Sequence, residues 1–271
     1  MLKYKLLATD MDGTLLDKQK NISIRNQQAI HAAKQAGVKI VLASGRPLEG
    51  LQPYLQQLDL LGEDDYVLCF NGALVQRSDG TIITRQEMTG KDCKMLVDYA
   101  EQFGVFNHAF SETRGLIAPH ANQYSQHDAD INRINLNIIN FSILADDEPV
   151  IKTMWVDQPE KLDAALAKLP THITEQYTVV RSTPFFLEFL PPAANKGSGI
   201  DKLAQHLNLQ AEEIICIGDA GNDLHMIEYA GLGVAMGNAT DEVKAIANYI
   251  TADNLNSGVA EVIEKFILHQ E

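Results

Sequence analysis

Asp10 and Asp12 are the first residues in the chain whose types and spacing can do chemistry. They follow the apolar run Leu6-Leu7-Ala8-Thr9, which has the composition of a buried parallel strand, and they lead into Gly13-Thr14. In an extended chain, residues two apart lie on one side, so both carboxylates are expected to face the same way where a core strand surfaces. Like charges ~4 Å apart repel by about 4 kcal/mol at an effective dielectric of about 20. Something positive must compensate them, and a hard divalent cation with oxygen ligands suits the task. Gly13 lets the backbone turn tightly enough to bring carbonyls and N–H groups to the same point. Taken alone, the same residues suit an acidic turn at a strand end equally well.

The surrounding pattern shows what must position them. Ser23 is expected to cap a helix from Ile24 to Ala36 that Gly37 stops, and Val38 to Ala43 follows as a second buried strand ending in Ser44-Gly45-Arg46-Pro47. Leu48, Leu51, Leu55 and Leu58 keep helical spacing. Tyr66 to Phe70 reads as a third strand, ending at Asn71-Gly72. Leu74 to Gln76 and Thr81 to Thr84 flank Ser78-Asp79-Gly80 as a hairpin. Strand alternating with helix implies a parallel sheet with right-handed crossovers.

From Arg85 the texture changes to short strands and helices without strict alternation. Thr89 to Gly104 is expected as a helix, Val105 to Phe110, Leu116 to Ala118 and Val150 to Val156 as strands, Pro159 to Leu169 as a helix, and Tyr177 to Ser182 with Phe185 to Leu190 as a hairpin. The polar segment from His120 to Arg133 is expected to be helical or irregular. The first texture returns after Pro191-Pro192, with a helix from Lys196 to Leu207, an apolar strand Ile214 to Ile217, and then Gly218-Asp219-Ala220-Gly221-Asn222-Asp223. A helix to Tyr229, a strand Gly233 to Ala235, a helix from Asp241 to Ala247 and an amphipathic helix from Val259 to Leu268 complete the pattern. The fold class is therefore α/β: a doubly wound, Rossmann-like parallel-sheet core formed by residues 1–84 and 191–271, with an inserted α+β domain over residues 85–190.

In such a sheet, ligands bind beyond the carboxyl ends of the strands, where the strand order reverses. Those ends supply Asp10 and Asp12, then Ser44, then Asp219, Asn222 and Asp223, with Lys196 at a helix start. Acids, a hydroxyl and a lysine are what phosphoryl transfer needs: a carboxylate nucleophile, a proton shuttle and positive charge against the phosphoryl oxygens. Each has a plainer role open to it. Ser44 can cap the following helix, Lys196 can be a solvated surface residue, and Asp223 can be an N-cap.

Bulk properties limit the partners. A net charge of −14 disfavours nucleic acid and anionic membrane, both of which need a basic face, while leaving small phosphorylated molecules open. Cys69, Cys93 and Cys216 lie far apart with no Cys-x-x-Cys, which suits buried thiols in a reducing compartment. The opening apolar run is cut short by Asp10, and no run reaches membrane-spanning length, so a cytoplasmic setting is expected.

Four segments together carry a resemblance. Asp10-Met11-Asp12-Gly13-Thr14, Ser44-Gly45-Arg46, Asn195-Lys196-Gly197 and Gly218-Asp219-x-x-Asn222-Asp223 resemble, in order, the four motifs of the haloacid dehalogenase (HAD) superfamily of phosphatases. Asn71-Gly72-Ala73 and the large insertion resemble the Cof-type subfamily (IIB) of sugar phosphatases, whose cap is of the C2B kind. The resemblance implies a Mg2+-dependent hydrolase of small phosphomonoesters. Asp10 would be the nucleophile and Asp12 the general acid/base. Mg2+ would be held by Asp10, the carbonyl of Asp12 and Asp219. Ser44 and Lys196 would bind phosphate oxygens with the N–H groups of Met11 and Gly45, Asn222 would reach the phosphate, and Asp223 would orient Lys196 or a metal-bound water. The insert would close over the core and select the leaving group. His108, Tyr124, His127 and Glu188 are its tempting residues, but their spacing does not mark them as convergent.

A phosphotransferase or phosphomutase shares this chemistry up to the identity of the acceptor. A phospho-Asp signalling domain also gathers acids, a hydroxyl and a lysine at parallel strand ends, but lacks the large insert and the second acid two residues on. A monomer or small homo-oligomer acting on a sugar phosphate is the expectation.

Overall fold

A computed structural model describes residues 2–268. The chain divides into two compact units: residues up to Thr84 together with those from Asn195 onward, and Arg85–Ala194. Pro191 to Ala194 thus go with the inserted unit.

The first unit is built on an eight-stranded sheet. Its central strand, Leu6–Thr9, is wholly buried and lies between Lys39–Ala43 and Ile214–Gly218, both parallel to it. Tyr66–Cys69 extends the sheet on one side, followed by the antiparallel strand Leu74–Arg77 and then Ile82–Arg85. On the other side, Leu232–Ala235 and Tyr249–Ile250 continue the parallel order. Strand order therefore reverses beside Leu6–Thr9, the expected place for a ligand. Register does the positioning. Thr9 pairs with Leu42 and Ile217, so one residue further on lies Asp10, and two residues past its neighbours lie Ser44 and Asp219. The Asp10 amide continues the ladder by donating to the Ile217 carbonyl at 2.9 Å.

The covering helices follow the apolar spacing. Ile24–Gln35 starts at Ser23, whose side chain accepts from the Asn26 amide, and buries Ala29, Ile30 and Ala33. Lys196–Leu207 is held by a reciprocal box in which the Asn195 side chain accepts from the Ser198 amide and Ser198 Oγ accepts from the Asn195 amide. The last helix departs from expectation: Gly258–Ile263 is α-helical and Glu264–Leu268 widens to a π-turn.

The second unit is an antiparallel sheet, in the order Thr178–Thr183, Phe186–Leu190, Pro149–Val156, Phe106–Ser111, Gly115–Ala118, with Leu136–Ile138 added in parallel at the edge. One face carries Trp155, Leu187 and Phe189, which pack with Cys93, Leu96, Val97 and Ala100 of the helix Gly90–Phe103 and with Leu162 and Ala165 of Pro159–Leu166. The indole N–H of Trp155 donates to the Leu96 carbonyl at 3.0 Å, which satisfies the one polar atom of the largest core side chain. Four short elements escape the sequence pattern: Met88–Thr89, Leu136–Ile138, Tyr249–Ile250 and the helix Thr171–Gln176. The three strands, of two or three residues, are too short to display alternation, and partner strands supply their order. The helix expected to run to Leu169 ends at Leu166, and Pro170 follows three residues after the C-cap Ala167. The polar stretch from His120 contains the helix Gln123–Asn132, capped by Asn122.

The start of Gly90–Phe103 is held more firmly than propensity requires. Thr89 and Asp92 form a reciprocal capping box, and the Tyr177 hydroxyl donates to Asp92 Oδ1 at 2.6 Å. Burial raises the Asp92 carboxyl, but the bonds from Thr89 and Tyr177 outweigh it and leave the group below its ordinary value. A depressed folded value stabilises above the unfolded pKa and is lost as pH falls through the folded one. Asp92→Ala should cost about 1–2 kcal/mol at pH 7. Denaturant unfolding followed by fluorescence of Trp155, the sole tryptophan, should show this deficit shrinking towards pH 3.

Candidate active site

Lys196 is fully buried at the first position of its helix, with its ammonium between two carboxylates. It donates to Asp10 Oδ1 and, at 2.6 Å, to Asp223 Oδ1. Burial alone would lower the Lys196 pKa, but Asp10 and Asp223 overcome it and raise it. Asp223 is equally buried, and its second oxygen accepts from the amides of Asp219 and Ala220 at 2.9 and 3.0 Å. One carboxylate thus folds the turn after Ile214–Gly218 and fixes the lysine. The surface role open to Lys196 does not occur. Asp223 opens the helix Leu224–Tyr229 without capping it through its side chain.

Asp219 stands beside this pair. Thr14 Oγ1 donates to its Oδ1 at 2.7 Å, and Gly13 (φ +93°) passes so close that a Cβ there would lie 2.4 Å from Oδ2. The Asn238 side chain holds the Gly13 carbonyl at 2.8 Å. Asp10, Asp219 and Asp223 each present an oxygen within 4.8 Å of the others. Burial, together with the carboxylates of Asp223 and Asp219, raises Asp10 well above its ordinary value against the pull of Lys196. Asp219 is pushed up to about 6 by burial, with Asp223 adding to it and the Thr14 bond opposing. Hard oxygen donors and carboxylates held above their ordinary range are what a divalent cation would relieve, so a magnesium-like ion fits these residues.

Asp12 behaves differently from the sequence expectation. The strand ends at Thr9 and the chain turns from Met11, whose carbonyl accepts from the Thr14 and Leu16 amides at 3.4 and 2.9 Å. Asp10 and Asp12 therefore do not line one face of an extended segment. The Asp12 carboxylate, 41% exposed, is gripped by Arg46 through Nε at 3.1 Å and Nη2 at 2.7 Å, and by Lys20 at 2.6 Å. Burial raises this group, but Arg46 and Lys20 prevail and lower it.

Ser44 is buried, and its Oγ accepts from the Arg46 amide at 3.3 Å. The following helix, Leu48–Gln57, has Pro47 as its N-cap, so Ser44 does not cap it. The Ser44 amide donates to Leu68, and its carbonyl accepts from Asn71 at 2.9 Å. Asn222 donates through Nδ2 to Asn71 Oδ1 at 3.1 Å. The side chain of Met11 is buried, and Gly45 passes the Asn71 amide so closely that a Cβ would lie 3.2 Å from its Nδ2. Thr14, Lys20, Arg46, Asn71 and Asn238 are thus site residues whose partners spacing does not reveal. Only Thr14, Arg46 and Asn71 carry a signal, through the segments in which they stand.

In the inserted unit His108 is buried, with Nδ1 2.9 Å from Ser125 Oγ and Nε2 3.1 Å from Asp128 Oδ2. Glu188 pairs with Lys152 at 3.0 Å. Tyr124 and His127 sit against Phe185, with ring centroids 6.2 and 5.8 Å apart.

Carboxylates and a buried lysine stand together at the switch point of a doubly wound parallel sheet, where such folds bind their ligands. The family model of haloacid dehalogenase-like hydrolases matches residues 7–263. A candidate phosphatase of Bacillus subtilis (strain 168), YxeH, is 40% identical over 268 residues, covering 98% of this chain and 99% of its own. The 5-amino-6-(5-phospho-D-ribitylamino)uracil phosphatase YitU of the same organism is 31% identical, covering 97% and 98%. A haloacid dehalogenase-like hydrolase from Bacteroides thetaiotaomicron superposes with a TM-score of 0.87 at 32% identity, covering 97% and 99%. The subclass IIB sugar phosphatase BT4131 gives a TM-score of 0.81 at 27% identity, covering 97% and 98%. The chain belongs to the haloacid dehalogenase-like hydrolases, and within them it is a phosphatase. Among the described residues, no helix is long and apolar enough to cross a membrane.

The raised carboxyl of Asp219 gives a testable sign. A folded value of about 6 against the ordinary 3.8 means that the metal-free protein loses stability as pH rises between these values. Melting curves with chelator and with excess magnesium should differ little at pH 4.5 and clearly at pH 7.5, with magnesium stabilising.

Proposed function

We propose that this protein is a Mg2+-dependent phosphatase of small phosphomonoesters, sugar phosphates foremost, that works through an aspartyl-phosphate on Asp10. The observation that carries this reading is the buried Lys196 bridging Asp10 and Asp223, with Asp219 beside them. A buried ion pair is by itself weak evidence of a stabilising role, and that supports a carboxylate placed here for chemistry.

The roles follow from the contacts. Lys196 favours the ionised form of Asp10, which burial opposes. Asp10 attacks phosphorus and forms the P–O bond as the ester P–O bond breaks, and the departing alkoxide takes a proton from Asp12. A water then attacks the aspartyl-phosphate, Asp12 accepts its proton, and inorganic phosphate leaves with Asp10 restored. Asp10, Asp219 and the Asp12 carbonyl would hold magnesium, which would supply positive charge against the phosphoryl oxygens. Ser44, Lys196, Asn222 and the amides of Met11 and Gly45 bind those oxygens, and Asp223 orients the lysine. YitU and BT4131 act on a ribityl phosphate and on sugar phosphates, as their names state, and both substrates are polyhydroxylated. That supports the sugar phosphate class here.

Phosphate release from a panel of sugar phosphates and from 4-nitrophenyl phosphate tests the reading. Magnesium should be required, chelator should abolish release, and Asp10→Asn should reduce it by at least about 10³-fold while preserving the fold. Release that persists in Asp10→Asn would contradict the mechanism.

The grip of Arg46 on Asp12 sets a second expectation. Arg46 holds Asp12 as a carboxylate, whereas protonation of the leaving group needs the acid form. Arg46→Met removes the charge and raises the Asp12 pKa, so the alkaline limb of kcat/KM should move to higher pH by about one unit. An unmoved limb would take Arg46 out of the acid's control.

A further inference from the structure

Three consecutive residues, Phe70 (φ +52°), Asn71 (φ +54°) and Gly72 (φ +86°), adopt left-handed backbone directly after the strand Tyr66–Cys69. Only glycine does this freely, and Asn tolerates it better than most residues. Such a run persists only where its surroundings over-determine it. Here they are the three segments that supply the phosphate ligands of the proposed site. The Phe70 and Asn71 amides donate to the Arg46 and Ser44 carbonyls at 3.2 and 2.9 Å. Gly72 lies against the start of the lysine helix, where a Cβ would meet the Asn195 carbonyl oxygen at 2.3 Å and the Lys196 Cα at 3.2 Å. The Asn71 side chain, buried, accepts from Asn222 Nδ2.

We infer that Asn71 is a positioning residue of the phosphate site, which fixes the side-chain amide of Asn222 so that its N–H edge, and not its carbonyl, is offered to the phosphate. An asparagine amide can present either edge, and the choice is made by its hydrogen-bond partner. The Asn71 carbonyl oxygen accepts one of the two Nδ2 protons of Asn222 and leaves the other for an anionic oxygen. A rotated amide would set carbonyl against carbonyl at Asn71 and against phosphate. The left-handed backbone brings the Asn71 side chain to this position while its amide anchors Ser44, so one residue ties two phosphate ligands together.

The inference rests on the phosphatase reading, and the test separates the two. Asn71→Gly keeps the left-handed backbone available and removes the side-chain acceptor. Affinity for inorganic phosphate with magnesium is measured by calorimetry, and kcat and KM with 4-nitrophenyl phosphate, for the native protein, Asn71→Gly, Asn222→Ala and the double variant. Asn71→Gly should weaken phosphate binding and raise KM about tenfold, with kcat altered less than about threefold, and the double variant should be no worse than Asn222→Ala alone. Native-like phosphate affinity in Asn71→Gly overturns the inference, as do losses that multiply in the double variant, or a lower melting temperature with KM unmoved. A native protein that neither binds nor releases phosphate removes the phosphatase reading and this inference with it, whereas an active native protein with an indifferent Asn71→Gly removes only the inference.

Discussion

The ammonium of Lys196 is buried between two carboxylates, and most of the site follows from satisfying it. A buried unpaired charge is costly enough that the group would lose its proton instead. Asp10 and Asp223 prevent that from opposite ends of the sequence. To reach the lysine, Asp10 must stand at the end of the central strand and Asp223 must fold back over the turn that begins at Gly218. Asp223 does so by accepting the Asp219 and Ala220 amides, which also directs Asp219 toward the same point. The ion pairs do not make the protein more stable than an apolar core would. Their effect is to leave one arrangement of three chain segments in which Lys196, Asp10 and Asp223 are all partnered.

The charges fall into two groups. Lys196 answers Asp10 and Asp223, while Arg46 and Lys20 answer Asp12. Among the described residues, no basic side chain forms an ion pair with Asp219, which keeps only the Thr14 hydroxyl. The pKa of Asp219 reflects this, and so does the fit of a divalent ion to the site. A net charge of −14 overall is no obstacle to a small phosphorylated ligand, because such a ligand is recognised by local charges such as Lys196 and Arg46.

Much of the core was legible because its logic is one-dimensional. Apolar runs such as Leu6–Thr9 and Ile214–Gly218 end in the residues that surface from the sheet, and parallel register carries those ends to one edge. What was not legible depends on choices made in three dimensions. Arg46 could have paired with any nearby acid, and only the turn at Met11 puts Asp12 within its reach. Asn71 reads as one residue of a turn, since its role comes from a backbone conformation and from a partner 151 residues away. The strands Met88–Thr89 and Leu136–Ile138 exist because a neighbour pairs with them. In the inserted unit, His108 and Glu188 are internally partnered, and residue type alone does not separate such groups from ligands.

The turn at Met11 also explains how two aspartates so close in sequence acquire opposite properties. Had the strand continued, both carboxylates would share one face and one environment, and neither could be tuned apart from the other. Ending the ladder at the Asp10 amide keeps the Asp10 side chain inside, where burial raises it and a lysine opposes the rise. The same turn sends Asp12 to the rim, where arginine and lysine lower it. Pairs of acids whose surroundings separate their proton affinities are suited to different tasks in one reaction. Gly13 completes the turn at a positive φ and leaves the space that Asp219 occupies, so a side chain there would disturb the turn and displace that carboxylate together. Backbone geometry over four residues, more than the acids themselves, makes the division of labour possible.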